Sequence, residues 1–229
     1  MNSVFFKDLE KALAAERLDA YRHDGVDELT TLARYLLNMS LCEALYSPLQ
    51  MAEVTLRNGV HNHLSDRFKS EAWYDAISTG KLLPWQSKQL IDAKDSLTKE
   101  NKDHRPGRIV AELHFGFWTG FFNRQHARTG IGFSIADAVF CHAPKSDRNL
   151  NILDGYWTRI RQLRNRVFHH ERILHWSNLD AQHADLLKIM GWISPEMREL
   201  AEALDHYTQT RQSGLAPWIE KIRTHWAEA

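Results

Sequence analysis

The run Leu163-Arg164-Asn165-Arg166-Val167-Phe168-His169-His170-Glu171 sets an arginine and an asparagine ahead of one histidine, with a second histidine directly behind. Arginine is a permanent cation whose rigid fork of five donors matches phosphate oxygens. Histidine is the side chain best able to move a proton near neutral pH. Together these residue types can grip a phosphodiester and break it. Arg164 would hold the scissile phosphate and stabilise the charge that develops on it. His169 would be general base or acid for attack by a ribose 2′-OH, a contribution of about 10² to 10⁴ in rate. Asn165, with both a donor and an acceptor, would orient the histidine or the phosphate. The 2′-OH makes RNA the substrate, and the chemistry calls for no metal and no cofactor. His170 is either a second proton carrier or a side chain that turns inward to the backbone.

Helix geometry constrains this arrangement. Five residues at about 100° each put Arg164 and His169 roughly 140° apart on a straight helix. Joint action therefore needs the helix to end or bend near Phe168, or a second copy of the motif to complete the site. A symmetric dimer would bring two motifs face to face across its two-fold axis. The surroundings are basic: Arg159, Arg161, Arg164, Arg166 and Arg172 fall within fourteen residues that hold one acid, Glu171. With Trp157 and Phe168 interleaved, the stretch predicts a surface for stacking bases and binding phosphates. A solvated arginine face on an amphipathic helix is the plainer alternative.

Glu53, Arg57 and His61 are spaced by four and share a helix face. Glu before Arg in this order favours an ion pair, worth about 0.2 to 0.5 kcal/mol on an isolated helix. The functional alternative has Glu53 and Arg57 lining a groove and orienting a nearby histidine. Leu56-Arg57-Asn58, trailed by His61 and His63, echoes the motif but is too short to indicate duplication. Gly107-Arg108-Ile109-Val110-Ala111-Glu112-Leu113 lacks the Gly-Lys-Ser or Gly-Lys-Thr of a phosphate loop and reads as glycine-punctuated helix packing. No Gly-x-Ser-x-Gly, His-Glu-x-x-His or Cys-x-x-Cys pattern occurs. His23, His104, His126 and His225 are scattered and read as surface residues.

The chain that must position these groups has 229 residues, 43% of them hydrophobic and 25% charged, with a formal net charge of zero. That length fits one sizeable domain across 1–229. A neutral chain does not coat nucleic acid indiscriminately, so phosphate affinity must come from local patches. Eight tryptophans suggest aromatic packing or a partner surface. Cys42 and Cys141 lack ligand spacing, and Cys42 on its apolar run reads as a buried free thiol. No secretory leader and no stretch long enough to cross a bilayer is expected, which makes the cytoplasm the expected location.

Helical periodicity dominates. Leu41, Leu45, Leu49, Ala52, Leu56, Val60 and Leu64 recur at steps of three or four and predict a long helix from about Asp27 to Phe68. Pro48 should kink or split it. Gly59 within it reads as a close-packing site. Other helices are expected at Phe5–Tyr21, Pro84–Asn101, Gly107–Asn123 and Asp147–His169. C-terminal helices at Leu179–Gly191, Pro195–Gln212 and Pro217–Ala227 should pack on the rest. Pro84, Pro195 and Pro217 fall in first helical turns, with Ser194 as a cap. Arg124 to Asp147, punctuated by Gly130, Gly132 and Pro144, reads as loop. The prediction is an all-α bundle.

Four ordered blocks carry a family resemblance. They are Arg34-Tyr35-Leu36 to Ser47, Glu53 to Asn58, Gly107 to Trp118, and Leu163 to Glu171, within about residues 30–175. The chain resembles the Abi-like (abortive-infection) proteins of the HEPN superfamily. The resemblance implies a HEPN-like helical bundle with additional helices, a homodimer formed through the motif-bearing face, and metal-independent endoribonuclease activity. It implies a role in phage defence or a toxin–antitoxin pair, with an antitoxin protein or a regulatory RNA as controlling partner. By position, Arg164, Asn165 and His169 are the implied catalytic set, with His170, Glu53 and Arg57 in support. Arg172 stands where relatives often have proline. A regulator that binds RNA without cutting it, or a module that docks a protein partner, remain the other readings of the residues.

Overall fold

All seven residues of the expected stripe, Leu41, Leu45, Leu49, Ala52, Leu56, Val60 and Leu64, are fully removed from solvent in the computed structural model. Burial of a leucine side chain is worth about 1.5 to 3 kcal/mol, so this one face of one helix is a principal source of stability. The structure describes residues 3–77 and 81–226. It is all-α, with no strand among the described residues. The first helices are α1 (Ser3–Leu13), α2 (Ala15–Asp19), α3 (Glu28–Phe68), α4 (Trp73–Ala76) and α5 (Pro84–Lys99). They are followed by α6 (Pro106–Glu112), α7 (Phe115–Thr119), α8 (Ile131–Val139) and α9 (Leu150–Phe168). The last are α10 (Leu179–Ile193), α11 (Pro195–Leu204), α12 (Tyr207–Ser213) and α13 (Ala216–Trp226). Short 3-10 turns lie at Gly120–Phe122, Arg124–Thr129 and Lys145–Asp147.

Local chemistry explains several boundaries. Asp27 caps α3 by accepting the Thr30 amide at 2.7 Å, which satisfies one of the orphan donors of a helix start. Ser194 caps α11 in the same way, accepting from Met197 N at 3.2 Å. Pro84 and Pro195 open their helices and Pro217 is the second residue of α13, as their missing N–H permits. Pro48 lies inside α3 without splitting it. The expected end of the last helix at Ala227 lies outside the described residues.

The chain groups into two compact units, the first from residues 1–47, 163–181 and 204–229, the second from 48–162 and 182–203. In the first, Phe6, Leu18, Leu32, Ala33 and Ile222 form a core cluster with Leu9, Leu13, Trp218 and Ile219 packed against it. Phe5 stacks on Trp226 at 5.5 Å between ring centroids. The second unit has an aromatic centre, in which Trp73 meets Phe117, Trp118 and Phe121, each at 6.3 Å. Gly59 also belongs there. A Cβ on it would stand 2.9 Å from Val139 Cγ1 and 3.3 Å from Ile193 Cγ2, so the position serves close packing.

Four expectations about elements need correction. The helix predicted over Gly107–Asn123 is interrupted between α6 and α7, where Leu113 and His114 adopt extended backbone, and it finishes in a 3-10 turn. The helix predicted over Phe5–Tyr21 is broken at Ala14, whose φ is +68°. Alanine is the best helix former, so no local signal marks this break. Packing of Leu9, Leu13 and Leu18 into one cluster sets it instead. The helix predicted over Pro195–Gln212 is interrupted after Leu204, where the Asp205 carboxylate accepts from Tyr207 N at 3.2 Å. The region predicted as loop contains α8. Gly132 is there for close approach and not for a turn, since a Cβ would fall 2.6 Å from the Phe121 carbonyl oxygen.

Candidate functional site at the end of the motif helix

Helix α9 ends at Phe168, which is one of the two ways that the divergence of Arg164 and His169 leaves open for joint action. The termination is a Schellman turn. His170 N donates to Val167 O at 3.1 Å and Glu171 N to Arg166 O at 2.9 Å, while His170 itself adopts φ +56°. Glycine normally takes this left-handed position because it has no Cβ to clash. An ion pair between Arg166 and Glu171 spans the same turn, and Arg17 donates to the His170 carbonyl at 3.0 Å. The histidine pair therefore sits on a fixed turn. Both rings are exposed, and neither imidazole makes a hydrogen bond among the described residues. His170 does not turn inward to the backbone through its ring.

His170→Gly is expected to raise the unfolding free energy by about 0.5 to 1 kcal/mol, because the left-handed conformation costs a non-glycine residue that much or more. Urea unfolding of the variant checks this, and a loss of stability would show that the imidazole itself supports the fold.

The Asn38 side chain holds the segment that follows the turn. Its Oδ1 accepts from Ile173 N at 2.8 Å and from Leu174 N at 3.1 Å, and its Nδ2 donates to Glu171 O at 3.4 Å. Arg172 donates to Ala20 O, and its guanidinium lies 5.9 Å from the Tyr21 ring centroid. Arg164 is half-buried, with its guanidinium carbon 4.3 Å from the Phe168 ring centroid. Tyr46 stacks on the same Phe168 ring at 4.8 Å and 16°. Arg164, Phe168 and Tyr46 thus form one stack. Asn165 is exposed on the last turn of α9, and its carbonyl accepts the His169 amide at 2.9 Å.

Beside this stack opens a cavity of about 780 Å³. One wall is a face of α3 carrying Asn38, Met39, Cys42, Glu43, Tyr46 and Ser47. Val167, Phe168 and His170 form a second, and Ala12, Leu13, Arg17, Tyr35 and His206 complete it. Burial pushes the Cys42 thiol up to about 11, which keeps it protonated and in the role of a small apolar wall residue. Asn38, Glu43 and Tyr46 were not singled out by sequence. The available signal was a polar or aromatic residue at each step along the flank of the apolar stripe.

The remaining predicted residues lie in the second unit, apart from Arg166 and Arg172 described above. Arg159 pairs with Asp185 at 3.1 Å and lies 4.9 Å from the Tyr156 ring centroid. Arg161 is half-buried, with one terminal nitrogen near Gly116. Such partly exposed ion pairs hold an arginine by only about 0 to 1 kcal/mol, which leaves it able to exchange partners. Trp157, expected on a stacking surface, is fully buried and packs edge-on against Phe115 at 5.9 Å. Glu53 and Arg57 are both half-buried on α3. The spacing-favoured pair between them is not made, since Arg57 forms no ion pair among the described residues and its buried Nε has no hydrogen-bond partner. His61 Nδ1 accepts the Trp73 indole N–H at 3.0 Å, and burial holds this histidine below its usual range. His63 Nε2 lies 2.9 Å from Ser134 Oγ. These histidines of the echo motif are structural.

His126, expected at the surface, is fully buried. Its Nε2 lies 2.7 Å from Gln86 Oε1, and Gln86 Nε2 donates to Phe117 O at 3.1 Å. Burial lowers the His126 pKa to about 4 from 6.5. The sign follows directly: the unfolded chain takes up the proton first, so the contribution is complete above pH 6.5 and lost as pH falls toward 4. The unfolding free energy from urea titrations should therefore drop over that window, by up to about 1.4 kcal/mol per pH unit, and His126→Gln should flatten the slope. An unchanged slope in the variant would assign the pH dependence elsewhere.

No group of three or more His, Cys, Asp or Glu side chains is arranged as a metal-binding cluster among the described residues, and none of their helices is long and apolar enough to cross a membrane. No family model, curated protein or solved structure matches the chain.

Proposed function

We propose that this protein is a metal-independent endoribonuclease of the HEPN type, an effector that cleaves RNA by 2′-OH attack at an Arg164/Asn165/His169 site. The observation that carries the reading is the turn at Phe168. It takes His169 and His170 off the helix, shortly after Asn165, as exposed imidazoles that make no hydrogen bond among the described residues, in a chain segment whose Arg164 is stacked on Phe168. The order of the four sequence blocks supports the same assignment. A homodimer supplies the second motif that brings four key side chains to one phosphate. The biological setting consistent with this chemistry is phage defence or a toxin–antitoxin pair, restrained by an antitoxin protein or a regulatory RNA.

The test is incubation of the purified protein with total RNA in EDTA. Fragments ending in 2′,3′-cyclic phosphate are the expected result, and an all-deoxy strand of the same sequence should stay intact. Cleavage that vanishes with chelator, or that cuts the deoxy strand, would sink the mechanism. Salt-sensitive RNA binding without fragments would point to a non-catalytic regulator.

A further inference from the structure

The cavity beside the motif contains a carboxylate that the cleavage chemistry does not use. Glu43 is exposed, lines the cavity and makes no hydrogen bond or ion pair among the described residues. Its polar neighbours differ. The Asn38 amide is committed to the backbone of 171–174, while Arg17 gives one donor to His170 O and has others left. A carboxylate repels phosphate and can only accept hydrogen bonds. Whatever faces Glu43 must therefore present donors. Tyr46 follows Glu43 by three residues and so shares its helix face. Although stacked on Phe168, Tyr46 leaves half its surface in solvent.

A platform for stacking next to a lone acceptor suits a nucleobase. The four bases differ in what they offer a carboxylate. Adenine and cytosine present an amino donor beside a ring-nitrogen acceptor, which the carboxylate opposes. Uracil presents one N–H between two carbonyls. Guanine presents two adjacent donors, N1–H and N2–H, that a carboxylate takes in bidentate fashion. The volume of about 780 Å³ is within the range of sites that hold ligands of nucleotide size.

We propose that this cavity reads a guanine base, with Tyr46 stacking on it and Glu43 accepting from N1–H and N2–H. Arg17 and His170, on the same cavity, receive the attached phosphate. The proposal rests on the RNA reading above, and it makes the cleavage selective for positions next to guanosine.

The experiment titrates the purified protein with 3′-GMP, 3′-AMP, 3′-CMP and 3′-UMP by calorimetry, and maps cleavage sites in total RNA. The expected result is 3′-GMP binding at least tenfold tighter than the other three. Glu43→Gln should abolish that preference and shift it toward adenine, whose donor–acceptor edge matches a carboxamide. Tyr46→Ala should weaken all four nucleotides by about 5- to 100-fold. Both side chains are exposed, and circular dichroism checks that the variants fold. Equal affinity for the four nucleotides, no binding, or a preference unchanged by Glu43→Gln would overturn the proposal. Glu43-dependent 3′-GMP binding without RNA fragments would retain the pocket and reject the nuclease. Fragments without guanosine at the cut sites would do the reverse.

Discussion

RNA cleavage by His169→Ala is expected to fall by about 10² to 10⁴ relative to the parent protein, with thermal stability unchanged. The imidazole is exposed and makes no hydrogen bond among the described residues, so its removal leaves no cavity and no unsatisfied partner. Arg164→Ala is expected to lose cleavage by about 10² or more, as loss of a group that stabilises transition-state charge does. This variant also loses the stacking contact with Phe168, worth about 0.5 to 2 kcal/mol, so its stability should drop slightly while that of His169→Ala should not. Arg164→Lys separates the two roles. It keeps the charge but not the bidentate fork, and should recover little activity. Initial rates on a labelled RNA in EDTA, beside urea unfolding of each variant, provide the measurement. Retained cleavage in His169→Ala would remove His169 from the mechanism.

Asn38→Ala is expected to cost about 2 to 4 kcal/mol of unfolding free energy. Asn38 is 3% exposed and its single carbonyl oxygen accepts from both Ile173 N and Leu174 N. A buried donor left without a partner costs about 1 to 3 kcal/mol, and the alanine would strand the Ile173 amide in particular, a residue fully removed from solvent. Asn38→Leu, of similar size, should lose about as much. If only the alanine is destabilised, packing and not hydrogen bonding is what Asn38 supplies. Because the same side chain fixes the segment after the turn, both variants should also loosen the position of His169 and His170 and lower cleavage together with stability.

Periodicity made the long helix and its buried stripe legible, because seven aliphatic positions at helical spacing leave one outcome. It could not foresee the break at Ala14, where the local preference is for helix and the packing of Leu9, Leu13 and Leu18 overrides it. Gly132 misled for a related reason: a glycine needed for close approach looks the same in sequence as one needed for a turn. The motif told which residue types could do chemistry, and helix geometry asked for an end or bend near Phe168 or a second copy of the motif. It did not reveal that His170 occupies a glycine position in a helix stop. Residue type alone does not carry burial, so Trp157 and His126 read as surface residues in sequence while both are fully enclosed in the fold. Asn38, Glu43 and Tyr46 are not marked in the sequence, since a cavity wall assembled from α3 and the end of α9 has no signature in either segment alone.

The cluster around Phe6, Leu18 and Leu32 closes only with Ile222, Trp218 and Trp226 of α13. On a ribosome, the parts of the unit that holds His169 emerge at the beginning, late middle and far end of this stretch of chain. Contacts between such distant segments form late. The turn bearing the two histidines thus acquires its supporting core once α13 has left the exit tunnel. Under the proposed RNA-cleaving function, this order of assembly withholds the finished site until α13 has been made and has packed.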